Sequence, residues 1–398
     1  TGVFKAGRES SREVPQVHAE VMSMNRASGK FALPYIYLTA GVEFELQSLN
    51  GAGTVGNMLK LQEAVVVVDG QQLYVPVITG NALKNWHARA MAVKYLELGG
   101  TKIHRQHFEE GMYRITTRIA EEAKQKIPQS AGQPSGASGS GARGRGRRSR
   151  EEPEGGEEEG RSFDIIRDYE RVLIDDCAIC DVHGFLLAVE NYPQVRRESC
   201  VKFSFAVPNI DGIEQAKKFS ITHNRVSSIP EEMMVFKREY ASARYAWCSL
   251  ANLAGIGTSQ YTKHANTRAW VGARLVDVNE IVNRVKSAVL AYSALFTGEL
   301  GASASRALPL FRPIEAVSVV TERPIPPPLH PFYKDYLRVI ESSLTRYGEN
   351  VVKGAFAFGV EIKGAESCSN VYELLEKTAD KAREVAEELW RNLEGGAR

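Results

Sequence analysis

Residues 64 to 78 read Ala-Val-Val-Val-Val-Asp-Gly-Gln-Gln-Leu-Tyr-Val-Pro-Val-Ile. Two β-rich runs, Ala64–Val68 and Leu73–Ile78, flank an Asp-Gly pair. Asp-Gly supplies the positive-φ positions of a tight turn whose twist matches that of paired strands, so the segment is predicted to be an antiparallel hairpin. Pro76 has no N–H to give a ladder and belongs at an edge or a strand end. This hairpin limits what the glycines upstream can be. Gly51, Gly53 and Gly56 spell G-x-G-x-x-G, and Asp69 follows 18 positions after Gly51. A dinucleotide site needs a strand, a glycine turn, a long helix and then a parallel strand. Only Asn57–Glu63 separate Gly56 from the first hairpin strand, too few for a crossover helix, and Asp69 is used by the turn. The run before the glycines alternates Val42, Phe44 and Leu46 with Glu43, Glu45 and Gln47, the pattern of a half-exposed strand rather than one buried on both faces. A Rossmann-type nicotinamide or flavin oxidoreductase is therefore a minor reading. The glycines otherwise permit close approach of the backbone to a ligand and leave N–H groups for phosphate oxygens.

Residues 128–162 carry almost no apolar side chains and are predicted to be disordered. Arg143, Arg145, Arg147, Arg148 and Arg150 are followed by Glu151, Glu152, Glu154, Glu157, Glu158 and Glu159, adjacent blocks whose long-range fields cancel. A helix is expected from about Asn81 to Leu98, with Leu83, Trp86, Ala90 and Val93 on its inner face and Gly99-Gly100 as its stop. Arg171–Val189 and Cys200–Val207 read as strand-rich. Residues 210–240 read as a polar excursion that returns as strand in "MMVFKREYASARYAW". Val278–Phe296 reads as helix and "IEAVSVVTE" as strand. Two packing helices close the chain: Pro331–Tyr347, through Tyr333, Leu337, Ile340 and Leu344, and Val371–Leu393, through Leu375, Thr378, Ala382, Val385 and Leu389. The class is α+β.

A net charge of +2 over 398 residues neither demands nor excludes nucleic acid, so any basic surface must be local. No apolar run approaches the roughly 18–20 residues of a membrane span, and the N-terminal stretch lacks an export signal core. Five cysteines without a framework pattern fit a reduced, cytoplasmic setting. Cys177, Cys180 and His183 form C-x2-C-x2-H, but zinc needs about four ligands and this reading finds no second paired set. Cys200 or His223 could complete a site only through an accident of tertiary structure. The cysteines are read as buried small apolar residues, and neither metal nor cofactor is expected.

Three elements suit phosphate. Asn57 and Lys60 follow the glycine turn. Thr79-Gly80-Asn81 can cap a helix start, where free N–H groups attract anions, with Lys84 and His87 one and two turns along. The loop Gly298–Arg306 holds Gly301, Ser303, Ser305 and Arg306. Together they fit a polyanion better than a single cofactor.

The ordered segments "LQSLNGAGTVGN", "VPVITGNALKNWHAR", "CDVHGFL", "THNRV" and the Gly/Ser loop ending in Arg306 resemble the backbone subunit of CRISPR Cascade complexes, in the archaeal type I-A, DevR-like group of the RAMP superfamily. The resemblance spans roughly residues 36–320. It implies a modified RRM, ferredoxin-like palm with inserted fingers and a thumb, polymerising into a helical filament along CRISPR RNA. Such a subunit grips the RNA backbone, leaves the guide open to pair with target DNA, and is not catalytic. On this chain it implies an N-terminal extension (1–34), a palm in 35–127, an insertion at 128–162, palm and fingers in 163–200, thumb and fingers in 201–269, a last palm part in 270–325 and a helical region in 326–398. RNA contacts are implied at Asn57, Lys60, Thr79, Gly80, Asn81, Lys84, His87, Ser303, Ser305 and Arg306, and near the thumb tip at His223, Asn224 and Arg225. Met233, Met234 or Phe236 would act as wedges, or pack in a strand. Other Cascade subunits are implied partners; a membrane is not. The rival reading is a RAMP-type endoribonuclease using His87, His183 or His223 as acid–base groups.

Overall fold

The computed structural model describes residues 32–109, 115–127, 155–225, 234–265, 271–298, 308–328 and 330–395. Residues 33–398 form one contact unit. The chain begins with β1 (Tyr35–Gln47), β2 (Gly51–Val55), β3 (Met58–Leu61), β4 (Glu63–Val68) and β5 (Gln71–Pro76), then α1 (Gly80–Glu97), α2 (Gln106–Glu109) and α3 (Thr117–Lys126). Next come α4 (Gly155–Asp176), α5 (Ala178–His183), β6 (Phe185–Leu187), β7 (Val195–Arg197), β8 (Val201–Phe203), β9 (Val207–Pro208), β10 (Lys218–Arg225) and β11 (Met234–Asn252). It ends with β12 (Thr258–Lys263), β13 (Gly272–Arg274), α6 (Val278–Leu290), β14 (Leu310–Thr321), α7 (Tyr336–Val351), β15 (Val352–Phe358), β16 (Glu366–Cys368) and α8 (Val371–Gly395).

The main sheet runs β16-β15-β14-β1-β11-β3-β2, with β8, β9 and β10 also paired to β11. β1 lies between β14 and β11 and is antiparallel to both, with Leu38 opposite Ser318 on one side and Ser249 on the other. One face takes α7: Ile340 and Leu344 pack on Tyr37, Val317, Val319, Ala355 and Ala357. Each of Ile340, Leu344, Val317 and Val319 contributes roughly 1.5–3 kcal/mol by leaving water. The other face takes α8, where Thr378 Oγ1 donates to Ser318 Oγ at 3.0 Å. Because helices cover both faces of the sheet, Ile36–Val42 are all buried, and the half-exposed alternation holds only from Val42 to Glu45, with Val42 and Phe44 inside and Glu43 and Glu45 reaching water. Alternation also fails at its end. The register shifts between Phe44 and Gln47, Leu46 takes φ 58° and turns outward, and Gln47 turns in. A bulge inserts one residue and so reverses the faces beyond it.

The β4–β5 hairpin is as expected. Val68 pairs with Gln71 across Asp69 (φ 50°) and Gly70 (φ 80°), and Pro76 ends its strand. The glycine fingerprint is not a turn before a helix. Gly51 and Gly53 lie in β2, antiparallel to β3, and only Gly56 sits at the turn. β3 joins the main sheet parallel to β11. With no helix between these strands, the dinucleotide reading fails.

Helix α1 forms where predicted but buries a different stripe: Leu83, His87, Ala88, Met91, Ala92 and Tyr95, with Val93 exposed and Trp86 and Ala90 half-buried. The apolar-only pattern left His87 out of the core and so rotated the face. Arg171–Val189 is largely helix, not strand: α4 and α5 cover Gly155–His183. Tyr169, Val172 and Leu173 are buried, and this helical spacing outweighs the β-branched composition. Helix α4 begins at Gly155, inside the segment expected to be disordered; residues 128–154 lie outside the described residues.

Cys200–Val207 splits into β8 and β9; between them the Ser204 hydroxyl, in place of its carbonyl, accepts the Cys248 N–H at 2.9 Å, while the Ser204 N–H still donates to the Cys248 carbonyl at 2.9 Å. Within the polar excursion Lys218–Arg225 forms a strand on β11. Helix α6 stops at Leu290 and continues as a 3-10 turn over Ala291–Phe296. All five residues read onto the α8 core face are buried. β15 and β16 were not anticipated.

Buried charges hold α4, α5, β7, β12 and α6 together. Asp181 accepts from Arg197, from Arg284 at 3.0 Å and from the Gly257 N–H at 2.8 Å. Arg197 also donates to the Gly255 and Thr258 carbonyls at 2.8 Å, and Glu170 accepts from the Ser259 hydroxyl and from the Gln260 N–H at 2.7 Å. Such charges are stable in the interior only when their bonds are complete. Among the described residues no helix is long and apolar enough to cross a membrane.

Candidate nucleic-acid interface

The start of α1 is built by a cap and a close approach. Thr79 takes extended backbone angles and its hydroxyl accepts the Ala82 N–H at 3.3 Å; Asn50 Oδ1 holds the Thr79 N–H at 2.9 Å. Gly80 is required by packing, since a Cβ there would stand 2.6 Å from the Phe203 carbonyl oxygen. Asn81 is exposed, and Asn81 and Lys84 line an open cavity of about 550 Å³ with His107, Cys180, His183 and Phe185. Burial pulls the Lys84 ammonium below its usual pKa, opposed by the nearby Cys200 thiol. Among the described residues Lys84 has no carboxylate partner. A half-buried cation with no carboxylate partner among the described residues, in the second turn of a helix whose dipole favours negative charge at that end, suits an anion.

His87 is not part of that surface. It is fully buried: Nε2 donates to the Ala288 carbonyl at 2.8 Å and Nδ1 meets His183 Nε2 at 3.1 Å. Burial lowers its pKa to about 3, the Ala288 bond opposing, so it is neutral. With His87 Nε2 donating, Nδ1 accepts from His183, and His183 Nδ1 is left buried without a partner. His87 is thus a core histidine, a correction to its implied RNA contact.

The glycine hairpin holds its own polar groups. Asn57 Nδ2 donates to the Val235 carbonyl at 3.1 Å, and Lys60 pairs with Glu239 at 3.1 Å. Glu239 also accepts from the Leu61 N–H and Lys218. Both residues therefore tie β3 to β11. The β10–β11 hairpin carries His223, stacked on Phe236 with ring centroids 5.3 Å apart and bonded to the Tyr240 hydroxyl at 3.1 Å. Asn224 is exposed, and the backbone of Arg225 pairs with Met234 at the last described rung. Met233 lies outside the described residues, as do Ser303, Ser305 and Arg306. Phe236 is half-buried against His223 rather than in the core. Sequence reading missed Arg238, whose Nε and Nη1 are buried without a partner among the described residues.

A second polar centre flanks the cavity. Cys177 caps α5 and Cys180 sits within it, and His104 and His107 face both sulfurs. Burial penalises the Cys177 thiolate, yet hydrogen bonds from its cysteine and histidine neighbours outweigh this and hold the thiol well below its ordinary pKa. The second paired set missing from the sequence reading is His104-x2-His107, and the expected third member, His183, instead pairs with His87.

The fold and site define an α+β protein whose sheet is covered by helices and whose helix-start cavity suits an anion. Residues 38–341 match the family described as CRISPR-associated negative auto-regulator DevR/Csa2, and the chain belongs to that family. It is 32% identical over 385 residues, 92% of this chain and 98% of the relative, to CRISPR-associated protein Cas7/Cst2/DevR of Thermoproteus tenax. A protein of the same description from Methanocaldococcus jannaschii is 28% identical over 87% of this chain and 99% of its own length. CRISPR-associated aCascade subunit Cas7/Csa2 2 of Saccharolobus solfataricus is 25% identical over 84% and 97%. A chain of a CRISPR RNA-guided surveillance complex, pre-nicking, superposes with TM-score 0.47 at 13% identity over 87% of this chain and 100% of that chain, too loosely to argue from.

Proposed function

We propose that this chain is a non-catalytic backbone subunit that binds CRISPR RNA in a type I Cascade interference complex in the cytoplasm. The observation that carries this is Lys84, a cation near the α1 N-terminus with no carboxylate partner among the described residues. Family membership and the aCascade name of one relative support the same reading. Sequence-independent grip needs phosphate contacts, while specificity is left to pairing of the guide with target DNA. A chain of low net charge suits repetition, because a filament of copies sums a few contacts from each. The sheet with its helices is the palm, and the β10–β11 hairpin, with His223, Asn224 and Arg225, is the thumb. A split β-α-β unit sets another strand between its two parallel strands, so neighbouring strands run antiparallel; β1 is antiparallel to both its neighbours, which supports the RRM-like palm. Ser303, Ser305 and Arg306 remain proposed contacts. The test is binding of unrelated single-stranded RNAs over a salt series. Lys84→Ala should weaken all sequences alike and lower the slope of log K on log salt by roughly 0.7. Loss confined to one sequence would overturn backbone recognition.

A further inference from the structure

His104, His107, Cys177 and Cys180 come from two chain segments that the sequence keeps far apart. Yet one ligand atom from each lies within 4.8 Å of every other. Cys177 Sγ stands 3.4 Å from His107 Nδ1, and Cys180 Sγ stands 3.5 Å from His104 Nδ1 and 3.9 Å from His107 Nε2. Zinc bonds of about 2.3 Å to sulfur and 2.0–2.1 Å to nitrogen, set at the tetrahedral angle, put S and N about 3.5 Å apart. His107 can give an ion only one of its two nitrogens, so the edges that match one tetrahedron are Cys177 Sγ to His107 Nδ1 and Cys180 Sγ to His104 Nδ1, with the remaining pairs of ligand atoms within 4.8 Å.

Two other readings of a Cys-x2-Cys pair fit less well. A redox pair must meet a partner, but Cys177 and Cys180 are 0% and 2% exposed. Ordinary core cysteines need no histidines, and here two imidazoles stand against the two buried sulfurs. Main-chain N–H groups of His104 and Cys180 each donate to Cys177 Sγ at 3.5 Å, the support that a metal-bound thiolate receives from its surroundings.

We propose that these four side chains form a structural Zn²⁺ site of the Cys2His2 type. Two thiolates and two imidazoles, all from protein, make a closed site with no position for substrate. The ion fastens the segment bearing α2 to α5 at the base of the cavity that Lys84 lines, since His107 and Cys180 belong to both. It thereby joins the two parts of the chain that flank residues 110–154. The site does not depend on the bound polyanion being RNA.

The test uses the full chain without an affinity tag, purified and exchanged into metal-free buffer. Elemental analysis is expected to find about one zinc per chain. Cys177→Ser and Cys180→Ser should lose it, while Cys368→Ser, buried elsewhere, should keep it. Since the cluster variants can fail to fold, the wild-type protein is also loaded with Co²⁺. Absorption should then show thiolate-to-cobalt charge transfer and the d–d bands of tetrahedral coordination, and strong chelation should lower the melting temperature. Three results would each overturn the proposal: zinc equally retained in the cluster variants, octahedral cobalt spectra without charge transfer, or a Cys177–Cys180 disulfide in the freshly purified protein.

Discussion

The α4–α5 layer and the outer hairpins use charge in opposite ways. In the layer, the side chains of Asp181, Arg197 and Arg284 are 0% exposed and each meets several partners. On the hairpins β2–β3 and β10–β11, Val55, Ile221 and Val235 are exposed, and Lys60 keeps 39% of its side chain in water. Charges inside are frame: their bonds are complete and nothing is left to offer a ligand. Lys84 at the cavity has no carboxylate partner among the described residues, and the proposed polyanion contact is placed there. The same contrast separates His87, closed between Ala288 and His183, from Lys84 one turn earlier on α1.

The largest expected break is Asp181→Ala. It strands two buried guanidiniums and the Gly257 N–H, and should cost about 3–5 kcal/mol in chemical denaturation. A loss below about 1 kcal/mol would mean the layer is not the frame. Gly80→Ala should cost about 1–3 kcal/mol, because the new Cβ meets the Phe203 carbonyl. It should also weaken RNA binding by moving the α1 start; full affinity in a destabilised variant would separate the cap from the grip.

His87 gives a pH test. Its folded pKa of about 3 lies below the unfolded value of about 6.5, so the unfolded chain holds the extra proton between them. Stability is therefore intact above about pH 6.5, falls as pH drops toward 3, and levels off below that. Between pH 6.5 and 5 the loss from His87 is roughly 2 kcal/mol, and His87→Gln should flatten the slope of denaturation midpoint on pH. An unchanged slope would show that His87 titrates in the folded state. The smallest effect is at Lys60. Breaking its partly exposed pair with Glu239 should cost under about 1 kcal/mol, and RNA affinity should fall less than in Lys84→Ala, since Glu239 already balances that charge. An equal fall would erase the distinction between the hairpin and the cavity.

Much of this was legible where one local rule dominates. Asp69-Gly70 can hardly form anything but its turn, and the α8 stripe from Leu375 to Leu389 is long and regular enough to read directly. Lys84 could be named because a cap and a following cation share one short segment. What could not be read depends on distant partners. Leu46 and Gln47 exchange faces through a bulge set by β11 and β14. Ile36–Val42 are buried because α7 and α8, near the other end of the chain, cover both sides. His104-x2-His107 carries the spacing of its cysteine counterpart, but a low-complexity segment lies between them, and nothing local marks a His-x2-His pair as its partner. His87 was placed on the surface because a histidine near a helix start looks like a ligand for phosphate, and nothing local reveals that Ala288 and His183 enclose it.

The central claim is that the chain grips RNA by its backbone and repeats along it. Electron microscopy of the purified protein with two RNAs of equal length and unrelated sequence tests this most directly. Helical filaments of the same repeat and length on both are predicted. Isolated particles on both RNAs, or assembly on one sequence alone, would contradict it.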